Sequence, residues 1–348
     1  MRKLPIYFLL DTSESMVGEP VQAIEQGLRT MINMLRKDPY ALETAYLSVI
    51  TFGTTAKQIT PLTELCQFQS PKLVLGSGTA LGAALELLDR RIGVEVTKSS
   101  PQTKGDYKPI VFLMTDGEPT DQWENQAAKL SKNRSLQIIA IGCGLDANLD
   151  TLRKITDLVI TGAEMNQDTL TKFFKWVSAS VATASQSVDK TGDAKINLEK
   201  FPQDDNIKVA DETTPQHKIE PNRFVFLHHK CVKTKKFYIQ KYTKNGKKRT
   251  GFLGFGQKEI YQAAGAFPLD DFEEPESKNN ISIAANLLTE PDACPYCGNK
   301  NWAMCSCGKT HCSPDSTDTK GKITLTCPWC NQTNIYEMAN FNVGGGGG

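Results

Sequence analysis

Two rhythms of apolar and polar residues run along this chain, and the rhythm changes past its middle. Short apolar runs bounded by turn residues lie at 4–10 (LPIYFLL), 45–52 (AYLSVITF), 109–115 (PIVFLMT) and 136–143 (LQIIAIGC). Runs of this length predict strands buried on both faces. Between and after them, residues 21–37, 80–92 and 169–184 space their apolar positions at helical intervals. Strands alternating with helices predict an α/β domain over residues 1–185, with a doubly wound, mostly parallel sheet.

Residues 186–220 are polar and lack periodicity, so they are expected to be a linker. From 221 the pattern is mainly β. Residues 223–232 and 235–243 read as strands, and Asn245-Gly246 reads as a hairpin turn. A smaller, mainly β domain is expected over 221–343. Residues 344–348 are five glycines, expected to be a flexible tail.

Composition narrows the function classes. Lys+Arg is 40 and Asp+Glu is 39, a net charge of +1, so any nucleic-acid binding must be local. No apolar run approaches the ~18 residues of a membrane span. The start, Met-Arg-Lys before LPIYFLL, imitates a signal peptide. The apolar stretch stops at Asp11 without a small-residue cleavage site, which favours a first buried strand and a cytoplasmic location. Ten cysteines are present, seven of them between Cys294 and Cys330. In a reducing compartment such crowding favours metal over disulfides.

The first run leads into Asp11-Thr12-Ser13-Glu14-Ser15. One carboxylate and two hydroxyls at alternating positions can converge on one point from a tight loop. Such oxygen donors suit a hard divalent cation. Thr79, in Gly76-Ser77-Gly78-Thr79, stands before a helix, and Asp116, in TDGEPTD, follows the strand at 109–115. Taken singly, these stretches read as a helix cap, a loop and a turn. Taken together they place donors from three loops at one end of one sheet, where open α/β sheets bind ligands.

These three motifs resemble the metal-ion-dependent adhesion site of von Willebrand factor A domains. Asp11, Ser13, Ser15, Thr79 and Asp116 fall on the five ligand positions of that family. The resemblance implies a Rossmann-like fold and a bound Mg²⁺, Mn²⁺ or Ca²⁺. It also implies an open coordination position for an Asp or Glu of a protein partner. Such sites usually bind rather than catalyse. No histidine occurs before His217, so a histidine base within the first domain is excluded, and no catalytic residue is assigned.

The cysteine-rich segment reads Cys294-x-x-Cys297, Cys305-x-Cys307, His311-Cys312 and Cys327-x-x-Cys330. Paired thiolates at this spacing can chelate a tetrahedral zinc ion from a tight turn. Eight candidate ligands allow one or two Zn²⁺. The favoured pairing puts Cys294, Cys297, Cys327 and Cys330 on one ion, and Cys305, Cys307, His311 and Cys312 on a second. Interleaved sharing fits the same sequence. His311 is the weakest member, because neighbours in an extended segment point apart. Four protein ligands leave no open position for water, so the zinc is expected to be structural. His228 and His229, near Cys231, read as ordinary strand positions rather than ligands.

An adhesion-site domain followed by such a cluster resembles the TerY type of bacterial von Willebrand A protein, found in tellurium-resistance and stress-response gene clusters. That resemblance implies a non-catalytic adaptor beside a Ser/Thr protein kinase and a metal-dependent protein phosphatase. Two other readings stand beside it. Residues 228–250 hold nine Lys/Arg and no acid, with Phe237, Tyr238 and Tyr242 interleaved. Next to a zinc ribbon this is a candidate nucleic-acid surface; read plainly, it is a lysine-rich hairpin that guards a sheet edge. A metal-dependent hydrolase at the first site is the other alternative. The acidic run at 270–276 would neutralise the basic segment or offer carboxylates to another molecule.

Overall fold

Strand β1 (Leu4–Asp11) is buried at all eight positions, so its sheet must be covered on both faces. The computed structural model describes residues 2–347 apart from 103, 117, 145–146, 163–165, 192–198, 203–206, 211–213, 215–222, 251–255, 270–280, 315–321 and 338–341. The chain divides into two units, Met1–Ile219 and Glu220–Gly348.

In the first unit, β1 is followed by α1 (Glu19–Leu35), α2 (Pro39–Thr44), β2 (Ala45–Phe52) and β3 (Ala56–Glu64). Next come α3 (Leu81–Glu95), β4 (Ile110–Thr115), α4 (Glu124–Ser131), β5 (Gln137–Cys143), α5 (Leu149–Arg153), β6 (Val159–Gly162), α6 (Gln167–Thr191) and β7 (Ile207–Val209). The strand order is β3-β2-β1-β4-β5-β6-β7. Strands β2, β1, β4, β5 and β6 pair in parallel, while β3 and β7 are antiparallel edges. The expected doubly wound sheet is present.

Period-2 geometry splits the side chains of β1 between the faces. Tyr7 and Leu9 join Val111 and Leu113 in a core closed by α3, α4 and α5. Phe8 points the other way, stacking on Phe112 at 5.4 Å and meeting Phe174 of α6 at 6.5 Å.

The expected linker does more than connect. Helix α6 runs on to Thr191, and β7 extends the sheet beside β6. Phe201 packs edge-on against Trp176, whose indole N–H donates to the Glu199 carbonyl at 2.9 Å. Isolated apolar residues such as Phe201, Ile207 and Val209 fold this segment back, yet they are too sparse to form a periodic pattern.

The second unit contains β8 (Phe224–Lys230), β9 (Phe237–Thr250), β10 (Gly256–Leu269), β11 (Ile281–Ala284), β12 (Asn301–Met304), β13 (Thr310–Ser313), β14 (Lys322–Thr326), β15 (Thr333–Glu337) and β16 (Asn342–Gly347). Its main sheet runs β10-β9-β8-β13-β12, with β16 pairing to both β8 and β11, while β14 and β15 form a separate hairpin.

Two local expectations are corrected here. Asn245-Gly246 is not a hairpin turn but lies inside β9. The pairings Lys244–Tyr261 and Lys247–Glu259 set Asn245 and Gly246 against one partner residue, and Gly246 has φ +97°. This is a β-bulge, where glycine supplies the positive φ. The glycine tail is also not free. Gly344 and Gly345 pair with β11, and Gly346 and Gly347 with β8. Ladder hydrogen bonds come from the backbone and need no side chain. Among the described residues, no helix is long and apolar enough to cross a membrane.

Candidate functional site

The strand order of the first unit reverses between β1 and β4. Open α/β sheets bind ligands beyond the strand carboxyl ends at such a switch point. Asp11 is the last residue of β1, and Asp116 follows directly on Thr115 of β4. A chain of hydrogen bonds links the predicted donors. The Ser13 N–H donates to Asp11 Oδ1 at 2.8 Å, Ser13 and Ser15 Oγ lie 2.8 Å apart, and the Ser15 hydroxyl donates to Asp116 Oδ1 at 2.7 Å. Asp11 and Ser13 are buried, whereas Ser15 and Asp116 are half-buried. The site thus has a closed floor and a partly open rim.

Thr79 is buried on the second loop. That loop is tied to the first by the Gly76 N–H, which donates to the Thr12 carbonyl at 2.8 Å. It is tied to the third by Thr120: the Thr79 N–H donates to Thr120 Oγ1 at 3.0 Å, and the Thr120 N–H returns to the Thr79 carbonyl at 2.9 Å. Several participants escape the sequence reading. The Thr115 hydroxyl donates to Asp11 Oδ2 at 2.5 Å. Buried Glu14 accepts the Ser77 hydroxyl at 2.6 Å, pinning the first loop to the second. Asp121 caps α3 from a distance, accepting the N–H groups of Gly82 and Ala83 at 2.8 Å each. The residue before α3 is Ala80, which offers no cap of its own; a missing local cap beside the acid-rich TDGEPTD is the one signal that could have found Asp121.

Burial pushes the Asp11 carboxyl up to about 7, and the nearby Asp116 charge adds to this, against hydrogen bonds from Thr115 and Ser13 that lower it. A desolvated carboxylate beside a second one favours either a proton or a cation. The donor set of carboxylates and hydroxyls fits a hard divalent ion.

In the second unit the thiols fall into two quartets. Cys231, Cys294, Cys297 and Cys312 form one; Cys305, Cys307, Cys327 and Cys330 form the other. The sulfurs of each quartet lie within 4.8 Å of one another. This grouping corrects the expected pairing. Cys294 and Cys297 are not with Cys327 and Cys330, Cys305 and Cys307 are not with Cys312, and Cys231 replaces His311. The interleaved arrangement is the one present.

A repeated turn explains why Cys231 belongs. In Cys294-Pro-Tyr-Cys297-Gly298 the Cys294 N–H donates to the Asn299 carbonyl at 2.8 Å, the Gly298 N–H returns to Cys294 at 2.9 Å, and Gly298 has φ +76°. Cys327 repeats this with Gln332 and Asn331, at 2.8 and 3.0 Å and φ +59°. Cys231 repeats it with Lys236 and Lys235, at 2.9 Å each and φ +62°. Thr234 therefore occupies the place of a second cysteine, and its N–H donates to Cys231 Sγ at 3.4 Å. Cys312, on β13, supplies the sulfur that this turn lacks. Cys305-x-Cys307 is the same turn shortened by one residue, closed by Gly308 at φ +80°.

The protons are unevenly held within each quartet. Cys305 is lowered to about 6: burial opposes this, but the Cys307 N–H and hydrogen bonds from Tyr336, Cys327 and Cys307 outweigh it. Cys307 is pushed up to about 12, by burial and by the neighbouring sulfurs. Four thiols this close cannot all ionise alone, and a dication removes that conflict.

His311 is buried outside both quartets. Nε2 meets the Tyr336 hydroxyl and Nδ1 the Cys312 carbonyl, each at 3.0 Å. Adjacent strand residues point to opposite faces, so Cys312 and His311 cannot share an ion. His229 packs as a ring between Tyr238 and Trp302, and burial holds it down to about 3. Tyr238 and Tyr242 are buried too, so they offer no faces for stacked bases. Phe237 is covered by Lys230 at 4.6 Å and by Trp329 at 5.4 Å. The lysine-rich strand is a hairpin arm; Lys244, for example, pairs with Glu259 at 2.6 Å. The acidic run 270–276 lies outside the described residues.

Residues 6–175 match the von Willebrand factor type A domain, and residues 221–348 match the TerY-C metal binding domain. Matrilin-3 of Gallus gallus is 28% identical over 158 residues, which is 44% of this chain and 34% of matrilin-3. The chain thus spans about a third of the length of that curated relative. Among solved structures, proximal thread matrix protein 1 from the mussel byssus, with zinc occupied MIDAS motif, is similar at TM-score 0.38 and 21% identity, over 51% of this chain and 48% of its own. BatB from Bacteroides thetaiotaomicron is similar at TM-score 0.37 and 16% identity, over 50% of this chain and 97% of its own. The chain carries a von Willebrand factor type A domain, followed along the sequence by a TerY-C metal binding domain.

Proposed function

We propose that this protein is a non-catalytic scaffold that binds a protein partner through a Mg²⁺-type ion held by Asp11, Ser13, Ser15, Thr79 and Asp116. The observation that carries this reading is the hydrogen-bonded chain Asp11–Ser13–Ser15–Asp116 at the switch point, buried at its floor and half-open at its rim. The bound cation (Mg²⁺, or Mn²⁺ or Ca²⁺) supplies an electrophilic centre that an Asp or Glu of the partner can complete. This chain's own residues fix the donors. Thr115 orients Asp11, Glu14 and Ser77 join two loops, and Thr120 and Asp121 hold the third against α3. Each thiol quartet holds one Zn²⁺ as a structural element. By analogy with TerY-type proteins, the partners are a Ser/Thr kinase and a metal-dependent protein phosphatase of a cytoplasmic, tellurite-resistance-like stress response.

The test is affinity capture from native lysate with Mg²⁺, run beside Asp11→Ala and Asp116→Ala proteins. A partner that is captured by the wild type, is lost in both variants and depends on one of its own carboxylates supports the reading. A partner retained by both variants would move the interaction away from this site.

A further inference from the structure

Exposure separates the two quartets. In the first, Cys231, Cys294 and Cys312 are buried and Cys297 is half-buried. In the second, Cys305 and Cys327 are buried, Cys330 is half-buried and Cys307 is exposed. The surface beside Cys307 is open: a side chain added at Gly308 would meet nothing within 4 Å, and Ser306 is exposed. Cys307 Sγ lies 3.9 Å from Cys327 Sγ, a short movement from the ~2.05 Å of a disulfide.

The anchoring differs as well. Cys312 of the first quartet sits on β13 in the main sheet. Cys327 and Cys330 of the second lie in the turn of the β14–β15 hairpin, which among the described residues pairs only with itself. Besides the quartet, Trp329 Nε1 donates to the Thr310 carbonyl at 2.7 Å, Asn334 donates to Cys305 Sγ at 3.4 Å, and Tyr336 meets His311. Trp329 also meets Phe237 at 5.4 Å, and an ion in the second quartet would add a further tie between this hairpin and the rest of the unit.

We propose that the quartet Cys305, Cys307, Cys327 and Cys330 is a peroxide-reactive zinc site, entered at Cys307, while the Cys231 quartet keeps its ion. The proposal rests on the reading that each quartet holds one zinc. The Cys307 thiolate attacks hydrogen peroxide; the O–O bond breaks, an S–O bond forms, and hydroxide leaves. The Cys327 thiolate then attacks the sulfur of that sulfenic acid, forming the disulfide and releasing a second hydroxide. The two sulfurs supply the two electrons that reduce the peroxide. Zinc keeps its charge and departs, because Cys305 and Cys330 alone do not hold it.

The experiment uses the full zinc-loaded chain carrying Cys66→Ser, which removes an exposed thiol of the first unit. Zinc content is measured first. Release is then followed with a chromogenic chelator during peroxide addition, and alkylated peptides are mapped by mass spectrometry. The first zinc equivalent should leave roughly tenfold faster than the second, in step with a Cys307–Cys327 disulfide. Dithiothreitol with added zinc should restore the content. Release of both equivalents at one rate, or a first disulfide within the Cys231 quartet, would overturn this proposal alone. Fewer than two equivalents before peroxide would overturn the two-zinc reading and the proposal with it.

Discussion

Asp11 is fully buried, and that sets both its acidity and its use. Its carboxyl is raised from 3.8 to about 7 by burial and by Asp116. Between those values the folded, metal-free protein binds a proton that the unfolded chain has released. The stability linked to Asp11 is full below about pH 4 and is lost as pH rises through about 7. A divalent cation competes with that same proton, so its affinity rises over the interval in which the proton leaves. The thermal shift produced by Mg²⁺ should be larger at about pH 8 than at about pH 6, and Asp11→Asn should remove both the pH dependence and the shift. Equal shifts at both pH values would mean that ion binding displaces no proton from Asp11. The candidate donors could be named from sequence because each motif carries its own, and hydrogen bonds join four of them, Asp11, Ser13, Ser15 and Asp116. Thr115, Glu14 and Asp121 could not be named, because their roles depend on which loops meet in space.

Helix α3 displays the same logic at the scale of an element. A Cβ at Gly82 would strike the backbone carbonyl of Gln122, and backbone cannot step aside as a flexible side chain can. Gly93, eleven residues on in the same helix, would meet nothing within 4 Å. Gly82→Ala should therefore cost about 1–3 kcal/mol and weaken Mg²⁺ binding, since Thr120 and Asp121 brace the loop of Thr79. Gly93→Ala should instead stabilise by roughly 0.5–1 kcal/mol and leave ion affinity unchanged, both read by denaturant melts. The cysteine turns teach a related lesson. Strands and helices of the first unit were readable because burial on two faces writes long apolar runs. The Cys231 turn was not, because its second cysteine is Thr234 and its partner lies on β13. If Thr234 does occupy a ligand position, Cys312→Ser should lose about one zinc equivalent and Thr234→Cys should restore it in the double variant. A double variant that stays one zinc short would show that the turn resembles a zinc knuckle in backbone alone.

At the scale of the whole molecule, the two units depend on different sources of stability. The first rests on a sheet covered on both faces, with a large apolar core shared among β1, β4 and α3–α5. Among the described residues of the second, one apolar cluster contains no cysteine: Val225, Leu227, Tyr242, Tyr261 and Ile283 are buried in it, and Leu287, Leu288, Trp302 and Met304 pack against it. Two further clusters among the described residues are built around the cysteines themselves. With so much of the described packing centred on thiols, metal binding is expected to supply much of the folding free energy. Structural zinc contributes on the order of 10–16 kcal/mol in small zinc-binding peptides, as much as the whole stability of a typical domain. A zinc-selective chelator should therefore collapse hydrogen-exchange protection in β8, β9 and β13 while leaving β1, β4 and β5 protected. Mg²⁺ should raise protection around Asp11 and Asp116 and leave the second unit as it was. If β8 and β9 stayed protected after both zinc equivalents had been removed, their ladder and the apolar packing around Tyr242 would suffice, and the thiol quartets would serve something other than folding. Loss of the β14–β15 hairpin alone, at one zinc equivalent removed, would instead separate the Cys305 quartet from the Cys231 quartet as the tie of that hairpin.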